Sequence, residues 1–263
     1  MDRRLLLGGA LAALVVLSGC SWVQETPSPT PTPSAEASGD GVSIPVPLLR
    51  NHSRSLANTS YAVEMRINIS ANGSAIDRSF AVRSDPGAER QRVELRGRQS
   101  VTDRFVGNGT IYTRLRANGS TGYDVRSLDR FNVTFGTLHR RSISQGRLAG
   151  IYQYGDFNES GTVTRSGRTL TEYTLVDTGI TRNATVEDAS GRVLIDQQGV
   201  IRLARIDIVG MRAGNEFFVH TEYRVTGTGD VTADRPGWLA EARANASQNE
   251  TTATVTPATT PAG

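Results

Sequence analysis

Tyr61, Val63, Met65, Ile67 and Ile69 alternate with Ala62, Glu64, Arg66, Asn68 and Ser70. This period-two pattern predicts a strand with one buried face. Asn72-Gly73 follows, and the apolar positions resume at Ile76, Phe80 and Val82. An Asn-Gly pair between alternating runs signals a hairpin, because both central residues of a type I′ turn need positive φ. The same punctuation recurs at Asn108-Gly109, Asn118-Gly119, Ser166-Gly167 and Ser190-Gly191. Between these pairs lie strand-like runs at 91–95, 110–116, 162–165, 170–177, 192–196, 200–209 and 216–226. In the 200–209 run the apolar parity switches from Ile201 and Leu203 to Ile206 and Ile208, which predicts a bulge near Ala204-Arg205. About ten strands joined by short turns predict a mainly β (α+β) fold, one large antiparallel meander shaped like a half-barrel.

Helical periodicity is confined to three places. Pro47 to Ala57 aligns Leu48, Leu49, His52 and Leu56; Ser142 to Tyr154 aligns Leu148, Ile151 and Tyr152. Asp234 and Pro236 then give start signals for a third helix, with Trp238, Leu239 and Ala242 on one side. A wide sheet must cover its apolar face. If these helices cover it incompletely, Tyr61, Met65, Phe80, Leu95, Phe217, Tyr223 and Trp238 line a candidate apolar groove suited to an acyl chain. Complete cover gives an inert core.

The ends of the chain differ from its middle. Arg3 and Arg4 precede a mostly apolar run, Leu5 to Leu17, and Leu17-Ser18-Gly19-Cys20 follows with the only cysteine among 263 residues. The run is too short to span a bilayer, which takes roughly 20 residues, and has the layout of an export signal. The four residues resemble a lipoprotein lipobox, which implies a diacylglyceryl group on Cys20 after removal of residues 1–19. Two acyl chains anchor stably where one does not. Arg3-Arg4 also fits a twin-arginine signal as well as a general secretory one. Residues 20–43 read as lipidated cysteine and linker, with Pro27, Pro29, Pro31 and Pro33 alternating with Ser and Thr. Polyproline II at about 3.1 Å per residue would hold the folded part up to ~70 Å from the membrane. Residues 44–247 are the antiparallel domain, and residues 248–263, rich in Thr, Ala and Pro, read as a disordered tail.

Composition adds the compartment. Eleven of twelve asparagines sit in Asn-x-Ser/Thr: Asn51, Asn58, Asn68, Asn72, Asn108, Asn118, Asn132, Asn158, Asn183, Asn245 and Asn249. Fifty residues are Ser or Thr, so chance supplies only two or three such triplets. N-glycosylation of an exported surface is the better explanation. Every one of the 29 basic residues is arginine. That excludes a Walker A phosphate loop and Schiff-base chemistry, both of which need lysine.

A charge of +3 over this length does not mark a nucleic-acid binder. His52, His139 and His220 are isolated, so no metal site has local spacing, and no nucleophile elbow or dinucleotide fingerprint occurs. The expectation is a non-enzyme without cofactor or catalytic residue. Arg90, Arg92 and Arg96 share one strand face, as do Arg114 and Arg116 with Tyr112. They read either as a basic stripe or, in preference, as a solvated face paired with Glu94 and other acids.

The order of lipobox, Thr/Pro linker, helix, long meander and Pro-x-Trp-Leu helix resembles archaeal surface lipoproteins of unknown function. More loosely it is similar to half-barrel carriers of the LolA/LppX type. The residues that carry it are 17–20, Ser60-Tyr61 after the opening helix, the segment 195–202, and Pro236-Gly237-Trp238-Leu239. The resemblance implies helices over the concave side of an open sheet and a lipid or lipid-anchored client within. Expected partners are the membrane through the anchor, a lipid or apolar small molecule, and a surface-layer glycoprotein; the expected place is the extracellular face of the cell membrane.

Overall fold

The computed structural model describes residues 46–143, 145–178 and 184–253. Cys20, the signal and linker segments, Asn183 and most of the C-terminal tail lie outside the described residues. Helix α1 (Val46–Leu56) leads into strands β1 (Tyr61–Ala71), β2 (Ser74–Asp85), β3 (Arg90–Arg96), β4 (Ser100–Gly107), β5 (Thr110–Ala117) and β6 (Ser120–Ser127). Helices α2 (Phe135–Arg141) and α3 (Gln145–Tyr152) follow, then β7 (Gly155–Arg165), β8 (Arg168–Thr178), β9 (Ala184–Asp196), β10 (Ile201–Arg212), β11 (Asn215–Thr228) and α4 (Leu239–Ala253).

All eleven strands form one antiparallel half-barrel sheet in the order β6-β5-β4-β3-β2-β1-β11-β10-β9-β8-β7. The predicted single meander is therefore two, β1–β6 and β7–β11, joined where β1 pairs β11. Its two edge strands, β6 and β7, are consecutive in sequence. The chain between them carries α2 and α3 from one edge to the other, and their apolar residues close over one sheet face.

The Asn-Gly turns form as predicted, with φ of 51° and 74° at Asn72-Gly73, 53° and 68° at Asn108-Gly109, and 51° and 76° at Asn118-Gly119. Ser166-Gly167 adopts the same conformation, as does Ala213-Gly214, which has no Asn to announce it. Ser190-Gly191 does not turn: it lies inside β9, where Ser190 pairs Asp207 and Gly191 pairs Ile206. Gly191 is there for space. A Cβ on it would stand 2.8 Å from the Phe157 ring and 2.9 Å from Leu175 Cβ. Glu187 and Asp188 lie in the same strand, beside a bulge opposite Val209-Gly210. The bulge of β10 falls at Arg202, between Ile201 and Leu203, two residues before its predicted place. It puts Ile201, Ala204, Ile206 and Ile208 together on the buried side, all at 0% exposure.

Register assigns the two faces. Tyr61, Val63, Met65, Val82, Phe80, Val93, Phe217, Val219, Tyr223, Ile206 and Ile208 form one cluster with Leu56, Ile143, Leu148 and Ile151 of the helical segments. This is the inner face. Phe105 and Tyr112 point to the outer face, where they cluster with Trp238, Leu239 and Ala242. Helix α4, which extends past the predicted boundary at 247 to Ala253, thus covers the other side of the sheet from α1, α2 and α3.

Candidate functional site

The inner face is closed by hydrogen bonds as well as by apolar contact. Burying polar side chains is costly unless each finds a partner, and here the partners fix the direction of every bond. The Ile201 N–H donates to His52 Nδ1 at 3.1 Å, so Nε2 carries the proton and donates to Tyr223 Oη at 3.0 Å. Tyr223 in turn donates to the Ile143 carbonyl at 3.3 Å. His139 Nε2 faces the Leu56 carbonyl at 3.2 Å and must donate, leaving Nδ1 to accept from Ser84 Oγ at 2.8 Å. Gln91 Nε2 donates to Ser84 Oγ at 3.2 Å, Ser142 Oγ donates to Gln91 Oε1 at 3.3 Å, and Tyr61 Oη donates to the His139 carbonyl at 2.7 Å.

Both imidazoles are thus neutral hubs joining the helical segments to the sheet. Burial, helped by the Arg202 charge, pushes His52 down to about 4. Burial lowers His139 too, against hydrogen bonds to the Leu56 and Ala57 backbone. The third histidine is elsewhere: His220 Nδ1 meets Asp207 Oδ1 at 2.6 Å on the outer face.

The cover does not reach the whole inner face. Met65, Phe80, Leu95, Thr102 and Leu115 stand in register on five neighbouring strands, β1 to β5. Exposure along this row rises from 4% at Met65 and 9% at Phe80 to 42% at Leu95 and 44% at Leu115. Ile76, paired with Ile69 near the β1–β2 turn, is 46% exposed. The sheet therefore carries apolar side chains outward beyond the edge of the helices. At about 4.8 Å per strand, Phe80 to Leu115 spans roughly 14 Å.

Of the predicted groove residues, Tyr61, Met65, Phe80, Phe217 and Tyr223 lie on the inner face in the closed part. Leu95 lies on the same face in the open part. Trp238 is corrected: it is on the outer face, and no groove lies between its helix and those residues. Sequence reasoning also passed over Ile76 and Leu115 as site residues, although each sits at an apolar position of its strand.

Trp238 belongs to a different construction. Its indole N–H donates to Asp103 Oδ2 at 2.7 Å, and Asp103 is 0% exposed. Arg92 grips the same carboxylate with Nε at 3.1 Å and Nη2 at 2.9 Å, and Arg114 Nη2 reaches it at 3.3 Å. Burial alone would raise the Asp103 carboxyl, but the Arg92 and Trp238 hydrogen bonds and the two guanidinium charges outweigh it and hold it below its ordinary value. Arg114 also stacks over the Trp238 ring at 5.2 Å. Together with the Arg96–Glu94 pair, this places Arg92, Arg96 and Arg114 of the arginine stripe in ion pairs. The signal for Asp103 was an acid between Val101 and Phe105 on one strand, with cations on the neighbouring strands.

Seven glycosylation candidates, Asn51, Asn58, Asn72, Asn108, Asn118, Asn132 and Asn245, are exposed. Asn68 and Asn158 are half-buried in strands, and the side chain of Asn249 lies outside the described residues. Among the described residues no helix is long and apolar enough to cross a membrane.

The architecture is that of an open half-barrel with helices across its inner face. The chain belongs to a family of unknown function, DUF7537, whose model matches residues 6–242. No curated protein sequence matches it. Among solved structures it is similar to LprF from Mycobacterium bovis, at 12% identity and a TM-score of 0.33, over 72% of this chain and 95% of that one. It is similar to the lipoprotein LppX from Mycobacterium tuberculosis, at 12% identity and 0.31, over 72% and 98%. A LolA superfamily protein from Nitrosomonas europaea matches at 12% identity and 0.23, over 73% and 95%.

Proposed function

We propose that this chain is a lipid-anchored, N-glycosylated protein on the extracellular face of an archaeal cell membrane that holds a hydrophobic ligand against the inner face of its sheet. Its role is binding or carriage, with no catalytic residue and no cofactor. The observation that carries the reading is the uncovered apolar row, Leu95 and Leu115 with Ile76, continuous with the buried Met65 and Phe80. An alkyl chain laid along it gains about 0.8 kcal/mol for each methylene removed from water. Ten methylenes give roughly 8 kcal/mol before association costs. Cys20 supplies the anchor, and the exposed sequons supply the glycan sites.

A second reading has its own support. Under the helices the core is filled, with Tyr223, Leu148, Ile151 and Ile206 all at 0% exposure. That suits a structural or adhesive envelope protein with a closed core, partnered by surface-layer glycoprotein. Organic extraction of the purified full chain followed by mass spectrometry separates the two. Lipid recovered at about one per chain, beyond the anchor itself, supports carriage, and its absence supports the structural role.

A further inference from the structure

The β7–β8 turn places like charges together for no structural gain. Ser166 and Gly167, at φ of 48° and 73°, form a two-residue turn that sets Arg165 directly opposite Arg168. Like charges facing across a hairpin are destabilising. Neither arginine has an ion-pair partner among the described residues, whereas Arg202 and Arg224 nearby are paired with Asp196 and Glu222.

Two adjoining clefts share Arg168 and Arg202 as walls. The smaller, about 340 Å³, is lined by all four arginines and no carboxylate, beside the buried Leu170 and Leu194. The larger, about 700 Å³, adds Gln197, Gln198 and Thr169, together with Asp196, whose carboxylate is paired with Arg202. Arg202 is held by Nε on Asp196 Oδ2 at 2.6 Å and Nη1 on Thr228 Oγ1 at 3.2 Å, which leaves Nη2 without an acceptor among the described residues. Four guanidiniums against the carboxylates of Asp196 and Glu222 leave two positive charges over. Planar guanidinium forks match tetrahedral oxyanions two bonds at a time, and the neutral amides and hydroxyl suit the oxygens of an attached polyol.

We infer that this double cleft is a binding site for a phosphate or sulfate ester, with Arg165 and Arg168 closing on the oxyanion beside the fixed Arg202. The cleft is built on β7 to β11, whereas Ile76, Leu95 and Leu115 stand on β2, β3 and β5, so it is separate from the apolar row. Calorimetric titration of the full chain in neutral detergent, with inorganic phosphate and with dihexanoyl phosphatidylglycerol as probes, tests it. Saturable binding of at least one probe is expected. That binding should weaken at least tenfold in Arg165→Gln/Arg168→Gln and persist in the charge-matched control Arg50→Gln/Arg212→Gln. Tighter binding of the lipid assigns a membrane headgroup, and equal or tighter binding of phosphate assigns a soluble ester. Retained affinity in the first variant, equal loss in the control, or no binding of either probe overturns the inference. Leu95→Glu/Leu115→Glu should leave the phosphate titration unchanged, which separates this site from the apolar one.

Discussion

The two faces of this sheet hold their helices by opposite chemistry. On the inner face, α1 and the α2–α3 segment are attached by uncharged groups, with His52, His139, Ser84, Gln91 and Tyr223 each donating or accepting in one fixed direction. On the outer face, Trp238 at the start of α4 is attached through one buried carboxylate shared with two guanidiniums. A neutral network has no ion to desolvate, but it fails when a proton arrives on an acceptor nitrogen. A charged clasp carries a larger cost if one member is lost, yet it persists until its carboxylate is protonated. The difference makes the inner cover the one that responds to mild acid.

The largest effect should come from Asp103→Ala. It leaves Arg92, Arg114 and the Trp238 indole without their shared acceptor, and removing one side of a buried charged pair costs about 3 kcal/mol or more. Urea unfolding should show that loss, and trypsin should cut earlier at Arg235 and Arg243 while the inner face stays protected. Acid should do the reverse. His52 has its folded pKa near 4 against 6.5 unfolded, so its neutral form contributes fully above pH 6.5 and that contribution is lost as pH falls towards 4. The loss reaches about 3 kcal/mol for a shift of this size. Over the same window Asp103 stays ionised, because its pKa lies below the ordinary carboxylate value. Hydrogen exchange at pH 7 and pH 4.5 should therefore show α1 opening before α4.

Tyr223→Phe probes the inner network without a pH change. It removes the acceptor of His52 Nε2–H and the donor to the Ile143 carbonyl, for about 1–2 kcal/mol in urea unfolding. Gly191→Ala is the smallest of these, about 1 kcal/mol, because the Phe157 ring and Leu175 must move aside. It should lower stability without altering the pH dependence.

Much of the fold was legible because its turns and alternation are local. Asn72-Gly73, Asn108-Gly109 and Asn118-Gly119 act through positive-φ backbone angles that Asn-Gly pairs adopt readily, and β1 reads as a strand from its own parity. Ser190-Gly191 misled because a glycine kept for packing looks the same in sequence as one kept for a turn. The split into two meanders was not legible, since the β1–β11 pairing joins residues 146 to 167 positions apart and no local signal marks it. Strand β4 was overlooked because Asp103 and Arg104 interrupt its apolar positions; the acid makes sense only once Arg92 and Arg114 stand on either side. The placement of Trp238 failed for a related reason. Helical periodicity tells which side of α4 is apolar, but not which face of the sheet receives it. Six of the seven groove residues share a face, yet which of them the helices would cover depended on where α2 and α3 cross.

The proposed carriage role requires the exposed end of the inner face to be a ligand surface. Extraction and mass spectrometry of Leu95→Glu/Leu115→Glu beside the unaltered full chain tests this most directly, because both side chains already face solvent and their change leaves the closed core intact. Loss of co-purifying lipid in the variant, with an unchanged unfolding midpoint, is the predicted result. The same lipid content in both proteins, or none in either, would contradict it.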